Sequence, residues 1–408
     1  MDLNRRRFLQ GAATGAGAAA LTGGMLAAGA AKDAGGQAAS LPQRYPFHGE
    51  RQSGVLTPAP SQKQNFASFV ALDVTTTDRR VLAEALRALT DRARRLTAGG
   101  PPPDLGVGKP PSDSDVLGPI VPADGLTVTV GAGASLFDGR FGLAERKPAK
   151  LTAMPTFPDD FLDPATTHGD VMLQLCAHQP DTVHHALRDI MRPIRGAMQI
   201  RWRYDGYNSP PRPSGTGRNL LGFKDGTANP VDADASALVW ADGADEPEWA
   251  RGGTYQVVRI IRMLVEFWDR ISVNEQENMF GRRRDSGAPL DGNAEFDVPD
   301  YAADPNGDVI PLDAHMRLAN PRTKETDDQR LIRRSYSYDL GVDANGNMEC
   351  GHIFVAYQQD VQRQFEAVQK RLAGEPLVDY VQPIGGGYFY VLPGVRDEDD
   401  WYGRALLG

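Results

Sequence analysis

Apolar and polar residues alternate along 65–74 (Asn-Phe-Ala-Ser-Phe-Val-Ala-Leu-Asp-Val), the two-residue period of a strand. Asp78 then heads a segment in which Leu82, Leu86, Leu89, Ala93 and Leu96 recur at steps of four and three. That spacing lays one apolar stripe along a helix, with Asp78 as N-cap and Gly99-Gly100-Pro101 as the stop. Residues 126–131 and 170–177 predict two more strands, 180–191 a second helix and 198–204 a fourth strand. The order then repeats. Residues 255–261 predict a strand, followed by a helix on which Leu264, Phe267, Trp268 and Ile271 share a face. Strands at 334–338 and 351–357, a helix over 360–372 with Phe365, Val368 and Leu372 on one side, and a strand at 388–392 complete the second half.

Each half therefore reads β-α-β-β-α-β, the ferredoxin-like arrangement, with two helices laid on one face of an antiparallel sheet. The predicted fold class is α+β, two ferredoxin-like halves of the dimeric α+β barrel type. The first half spans 65–205 and the second 218–408, joined by a hinge at 206–217 dense in Pro, Gly and Ser. Residues 31–64 form a linker and an extended arm. Two long irregular stretches remain, about 101–121 and 282–313. The second leads into His315 and is expected to form a pocket.

Composition narrows the class. Hydrophobic residues make up 41% and charged residues 24% of 408, ordinary for a globular protein. A formal charge of −9 argues against a nucleic-acid partner. The opening Asn4-Arg5-Arg6-Arg7-Phe8-Leu9-Gln10 fits the twin-arginine export pattern, and Ala28-Gly29-Ala30 offers a small-x-small cleavage site. Residues 11–30 carry only Leu21, Met25 and Leu26 as strong hydrophobes, too few for a membrane anchor, so 1–30 reads as a cleaved signal peptide with no membrane span left after it. The expected destination is the periplasm or another extracytoplasmic compartment. Two cysteines, Cys176 and Cys350, cannot supply a disulfide framework, and Cys176-Ala-His178 with Cys350-Gly-His352 lacks zinc-ligand spacing.

Chemistry concentrates in three segments: Gly222-Phe-Lys-Asp225-Gly226-Thr227-Ala228-Asn-Pro230, Asp313-Ala-His315-Met-Arg-Leu-Ala-Asn320-Pro321-Arg322, and Leu331-Ile-Arg333-Arg334. They offer a carboxylate in a glycine turn, one imidazole and a guanidinium. Taken singly, each is as readily a turn, a surface histidine or an edge charge. Adjacent strand residues face opposite sides, so only one of Arg333 and Arg334 can enter a shared pocket.

Together, these segments resemble the dye-decolourising peroxidase family, and specifically its exported deferrochelatase/peroxidase subgroup. Tyr45-Pro-Phe-His-Gly49, Val265-Glu-Phe-Trp-Asp-Arg270 and Pro383-Ile-Gly385-Gly386-Gly387-Tyr388-Phe389 are similar too, so the likeness covers about residues 43–408. One departure is Glu50-Arg51-Gln52, where the family pattern has His-Gln; it bears on contacts of the arm. The resemblance implies one haem b per chain, with His315 as iron ligand, a carboxylate or backbone oxygen holding its other ring nitrogen, and Asp225 and Arg333 as catalytic acid–base and cation. It also implies that Gly226, Thr227 and Ala228 lie against the macrocycle and that Asn320, Pro321 and Arg322 line its edge, Arg322 at a propionate. Hydrogen peroxide would be reduced through a ferryl intermediate and bulky organic reductants oxidised, with an acidic optimum. Surface residues such as Trp240, Trp249, Trp268 or Tyr336 would relay electrons. Removal of iron from haem with the porphyrin intact, an iron-uptake permease as partner and a homodimer are further implications. The alternative is a haem carrier or sensor without turnover, which has no use for Asp225 and Arg333 together.

Overall fold

The structure, a computed structural model, describes residues 44–408; the export segment and the linker up to residue 43 lie outside the described residues. In the first half, β1 (Phe66–Val74), α1 (Arg79–Ala98), β2 (Thr127–Gly133), β3 (Val171–Ala177), α2 (Pro180–Ile194) and β4 (Met198–Tyr207) follow in order. Asp78 caps α1 by accepting the Arg80 N–H at 2.8 Å, and Gly99 closes it in a left-handed turn at φ 65°. In the second half α3 (Asp232–Val239) precedes β5 (Thr254–Met263). Then come α4 (Val265–Trp268), α5 (Val273–Phe280), α6 (His315–Ala319), β6 (Ile332–Arg333), β7 (Tyr336–Val342), β8 (Met348–Gln358), α7 (Ala367–Leu372) and β9 (Val381–Val391).

The second half departs from its sequence pattern in three places. The helix expected after β5 stops after one turn. Ser272 and Glu275 then form a reciprocal capping box that starts α5 afresh, and Phe267 is 57% exposed while Trp268 is buried. The strand expected at 334–338 is interrupted at Arg334-Ser335, where the Ser335 hydroxyl accepts the Val355 N–H that would otherwise serve the ladder. The helix expected over 360–372 begins as a π turn at Gln362–Glu366, with the Gln364 side chain accepting the N–H groups of Gln359 and Asp360.

Every strand pair is antiparallel. The first half has the order β4-β1-β3-β2 and the second β9-β5-β8-β7, each the ferredoxin-like order. Two seams join them, β2 to β9 through Gly131↔Val391 and β4 to β7 through Tyr207↔Ser337, closing a barrel. The arm stitches the first seam. Buried Gln52 donates to the carbonyls of Val130 and Leu392, both at 2.8 Å, and accepts the Val130 N–H.

Strand alternation sorts the core. Phe69, Met172, Tyr204, Val258, Ile353 and Phe389 fill the barrel interior. On the outer face of the first half, Val70, Leu72, Leu173 and Leu175 pack under Leu82, Leu86 and Leu89 of α1 and Leu187 and Ile190 of α2. That face is sealed. The corresponding face of the second half presents Arg259, Ile261, His352 and Phe354 to a cleft instead, because a short α4, the irregular 282–313 stretch and α6 replace a full-length covering helix.

Candidate active site

His315 is the first residue of α6, reached by the irregular stretch that also brings Arg282 and Tyr301 to the cleft. Its Nδ1 lies 2.8 and 3.0 Å from the two carboxylate oxygens of Glu375, which is buried just before the turn leading to β9. A carboxylate only accepts, so Nδ1 carries the proton and Nε2 keeps its lone pair. Burial pulls the imidazole pKa down, but Glu375 outweighs it and the net shift is upward. Such a ring is a strong donor to a positive partner at Nε2.

Asp225 sits in the turn after Phe223, followed by Gly226 at φ 96°, a left-handed conformation that favours glycine. Its Oδ1 accepts from Arg333 Nη1 at 3.0 Å and its Oδ2 lies 3.3 Å from His352 Nε2. Burial raises the Asp225 pKa, yet Arg333, His352, Lys63 and His315 together bring it down to about 2. His315 and Asp225 thus share one cleft and feel each other's charge.

Two side chains fix this turn. Glu295, from the irregular stretch, accepts from Lys224 Nζ at 2.5 Å, from the Thr216 hydroxyl at 2.6 Å and from the Thr227 hydroxyl at 3.1 Å, so it grips residues on either side of Asp225. The Asn229 amide pairs with the Arg333 backbone in both directions, donating to its carbonyl at 2.8 Å and accepting its N–H at 3.0 Å. The carboxylate turn and the guanidinium strand are thereby tied together.

Arg334 points away from the cleft. It is fully buried, donating to the Pro58 carbonyl and Gln64 Oε1. Gly226, Thr227, Ala228, Asn320 and Arg322 line the cleft; Pro321 does not, and serves the turn after α6. In that turn Arg322 stands at φ 58° with its N–H on Asn320 Oδ1 at 3.1 Å. Gly385, Gly386 and Gly387 are absent from the lining; a Cβ on Gly386 would stand 2.0 Å from the Val258 carbonyl oxygen, so strand packing demands the glycine. Trp240, Trp249, Trp268 and Tyr336 are all buried, so none is itself a surface contact for a large reductant, contrary to expectation.

Sequence reasoning weighed His352 only as part of a Cys-x-His pair and did not single out Glu375, Glu295 or Arg282. Glu375 lies in an Ala-Gly-Glu-Pro turn with nothing local to mark it, and His352 sits within an apolar strand. The place of His352 in β8, paired with Ile261 of β5 and Ser337 of β7, sets its ring in the cleft beside Asp225.

The cleft encloses about 1870 Å³, part of it open to solvent, with Phe280, Phe354, Phe365, Val368 and Leu372 among its apolar walls. Arg282 and Arg322 line it without a carboxylate partner among the described residues. A large flat apolar ring bearing acidic groups and a metal fits these features: one free imidazole nitrogen, apolar walls and two guanidinium groups with no carboxylate partner among the described residues.

Comparison with known proteins agrees. Residues 52–208 match the N-terminal model of Dyp-type peroxidases and 216–396 the C-terminal model. The chain is similar to proteins named deferrochelatase from Yersinia pestis bv. Antiqua (47% identical, covering 99% of this chain and 95% of that one). The same holds for Escherichia coli strain K12 (49% identical, covering 90% and 88%). In three dimensions it resembles a DyP-type peroxidase from Cellulomonas bogoriensis, with TM-score 0.80 and 38% identity over 89% of this chain and 98% of that one. It also resembles DtpA from Streptomyces lividans, with TM-score 0.79 and 35% identity over 90% and 98%. The family's cofactor is haem b, which the cleft suits. With both domain models matched across nearly all of the described residues and the cleft suited to the cofactor, the chain belongs to the Dyp-type peroxidase family.

Proposed function

We propose that the cleft of the second half, 218–408, binds haem b through His315 Nε2, and that Asp225 and Arg333 form the peroxide-handling pair beside it. One observation carries this reading: a single imidazole buttressed by Glu375 shares its cleft with a carboxylate that Arg333 holds ionised. Bound haem supplies the iron at which peroxide is reduced and oxidising power is stored. The protein's part is to hold and move protons. Asp225 takes a proton from the nearer oxygen of hydrogen peroxide and returns it to the farther one, so that the latter leaves as water. Arg333 keeps Asp225 ionised and stabilises negative charge that develops as the O–O bond lengthens. Glu375 keeps the proton on Nδ1, fixing the tautomer and raising the basicity of Nε2. Gly226, Thr227 and Ala228 let the backbone lie close to the ring, and Arg322 with Arg282 takes up its acidic substituents.

Similarity to the deferrochelatases supports a second outcome at the same site, release of iron from haem with the porphyrin ring intact. An iron permease of the envelope is then the partner, and the twin-arginine segment directs the protein to the periplasm or an equivalent space. No helix among the described residues is long and apolar enough to cross a membrane.

The test is spectroscopic and kinetic. Haem-loaded protein should show a Soret band that His315→Ala displaces. Asp225→Asn and Arg333→Leu should keep the band but slow the reaction with peroxide at least about a hundredfold. Unchanged peroxide rates in both variants would overturn the assigned roles and favour a haem carrier or sensor. Free protoporphyrin among the products of added haem establishes the iron-releasing activity, and ring-opened products exclude it.

A further inference from the structure

Asp225 has a second neighbour that the proposed mechanism does not use. His352 Nε2 lies 3.3 Å from Asp225 Oδ2 while Arg333 Nη1 lies 3.0 Å from Oδ1, so each carboxylate oxygen has its own partner on a different strand, β8 and β6. At 3.3 Å the pair is in ion-pair range rather than in hydrogen-bond geometry, and because a carboxylate cannot donate, a bond between them needs the ring proton on Nε2, which leaves Nδ1 bare. That Nδ1 is buried and has no hydrogen-bond partner among the described residues. Among them the contact with Asp225 is therefore the ring's one polar tie.

Burial holds the imidazole pKa down at about 4, against the pull of Asp225 and with the help of Lys63 and Arg333. Above about pH 4 the ring is neutral. A neutral donor can orient the carboxylate without adding another full charge beside two cations, and without drawing the proton that Asp225 must carry.

We infer that His352 is a positioning residue for Asp225: its Nε2–H fixes Oδ2 so that the carboxylate keeps one orientation toward the cleft while Arg333 holds Oδ1. The inference rests on the reading of Asp225 as the proton carrier. The competing view is that His352 merely fills space in β8, where Gly351 pairs with Arg262 and Ile353 with Ile260.

Haem-loaded His352→Gln and His352→Met separate the two. The side chains are similar in length, but only Gln offers an N–H to Oδ2. Peroxide reaction rates would be followed by stopped-flow absorbance from pH 3.5 to 7, with His315, Lys63, Arg333 and Asp225 unchanged. His352→Met should keep the Soret band yet lose about tenfold to a hundredfold in rate. An acid limb from Asp225 that wild type lacks above pH 3.5 should appear, and Gln should restore both rate and profile. Should Met not fold, His352→Asn, too short to reach Asp225, takes its place with the same expectation. Wild-type rate and pH profile in Met or Asn, with Asp225→Asn slow, overturns the inference. An Asp225→Asn enzyme as fast as wild type overturns the reading beneath it instead.

Discussion

Two carboxylates do different work in one cleft because their neighbours differ. Asp225 is buried among cations and stays ionised to about pH 2, below the ordinary aspartate value. A group with a depressed pKa keeps its base form until pH falls through that lower value. The peroxide reaction should therefore show no acid limb from Asp225 between pH 3.5 and 6, measured as the second-order rate against pH. A limb centred near pH 4 that persists in His352→Gln would mean that Arg333 does not act on it. Glu375 instead faces a single imidazole. Glu375→Gln removes its charge but keeps an acceptor, so haem should remain bound while the iron's reduction potential rises and the peroxide rate falls about tenfold to a hundredfold. Redox titration beside stopped-flow kinetics checks both. Asp225, His315 and Arg333 were singled out through the family resemblance of the segments around them, and the fold brings all three to one cleft. Their partners were not, since nothing near His352 or Glu375 in the chain announces a contact made across strands or over sixty residues.

At the scale of elements, the first half was readable almost throughout: apolar steps of three and four gave α1, and alternation gave the strands. The second half misled where side chains override the backbone pattern. The Ser272–Glu275 capping box restarts a helix, Ser335 takes a ladder amide and Gln364 opens a π turn, each a local hydrogen bond that periodicity does not register. The irregular stretch 282–313 has an energetic role through Glu295, whose partner Lys224 is only 3% exposed. Glu295→Ala should strand that ammonium and cost about 3–5 kcal/mol of stability. It should also loosen the turn that carries Asp225. Urea unfolding gives the first number and the peroxide rate the second; a fall in rate without a fall in stability would separate the two roles.

For the whole molecule, duplication explains the plan. Two like halves close one barrel, one with its outer face sealed by helices and the other with that face opened into the cleft. The halves could be read from the repeated order, whereas the seams could not, because Gly131↔Val391 and Tyr207↔Ser337 join segments far apart in sequence. Stability should carry the mark of the buried His352. Its folded pKa is about 4 and its unfolded value near 6.5, so between those pH values the unfolded chain binds the extra proton. Stability therefore falls on acidification through that window, by up to about 1.4 kcal/mol per pH unit for this one group. His352→Gln should flatten the Tm profile between pH 6.5 and 4, and an unaltered slope would place the proton elsewhere.

One thickness of sheet divides the cleft from the barrel's packed lumen: Arg259, Ile261, His352 and Phe354 face one way, Val258, Ile260, Ile353 and Val355 the other. A methylene trimmed from the lumen side has no other layer to absorb the relaxation. A pigment resting on the opposite side would register that shift as a change of hue, so the tint of a core variant would gauge how well its interior is filled.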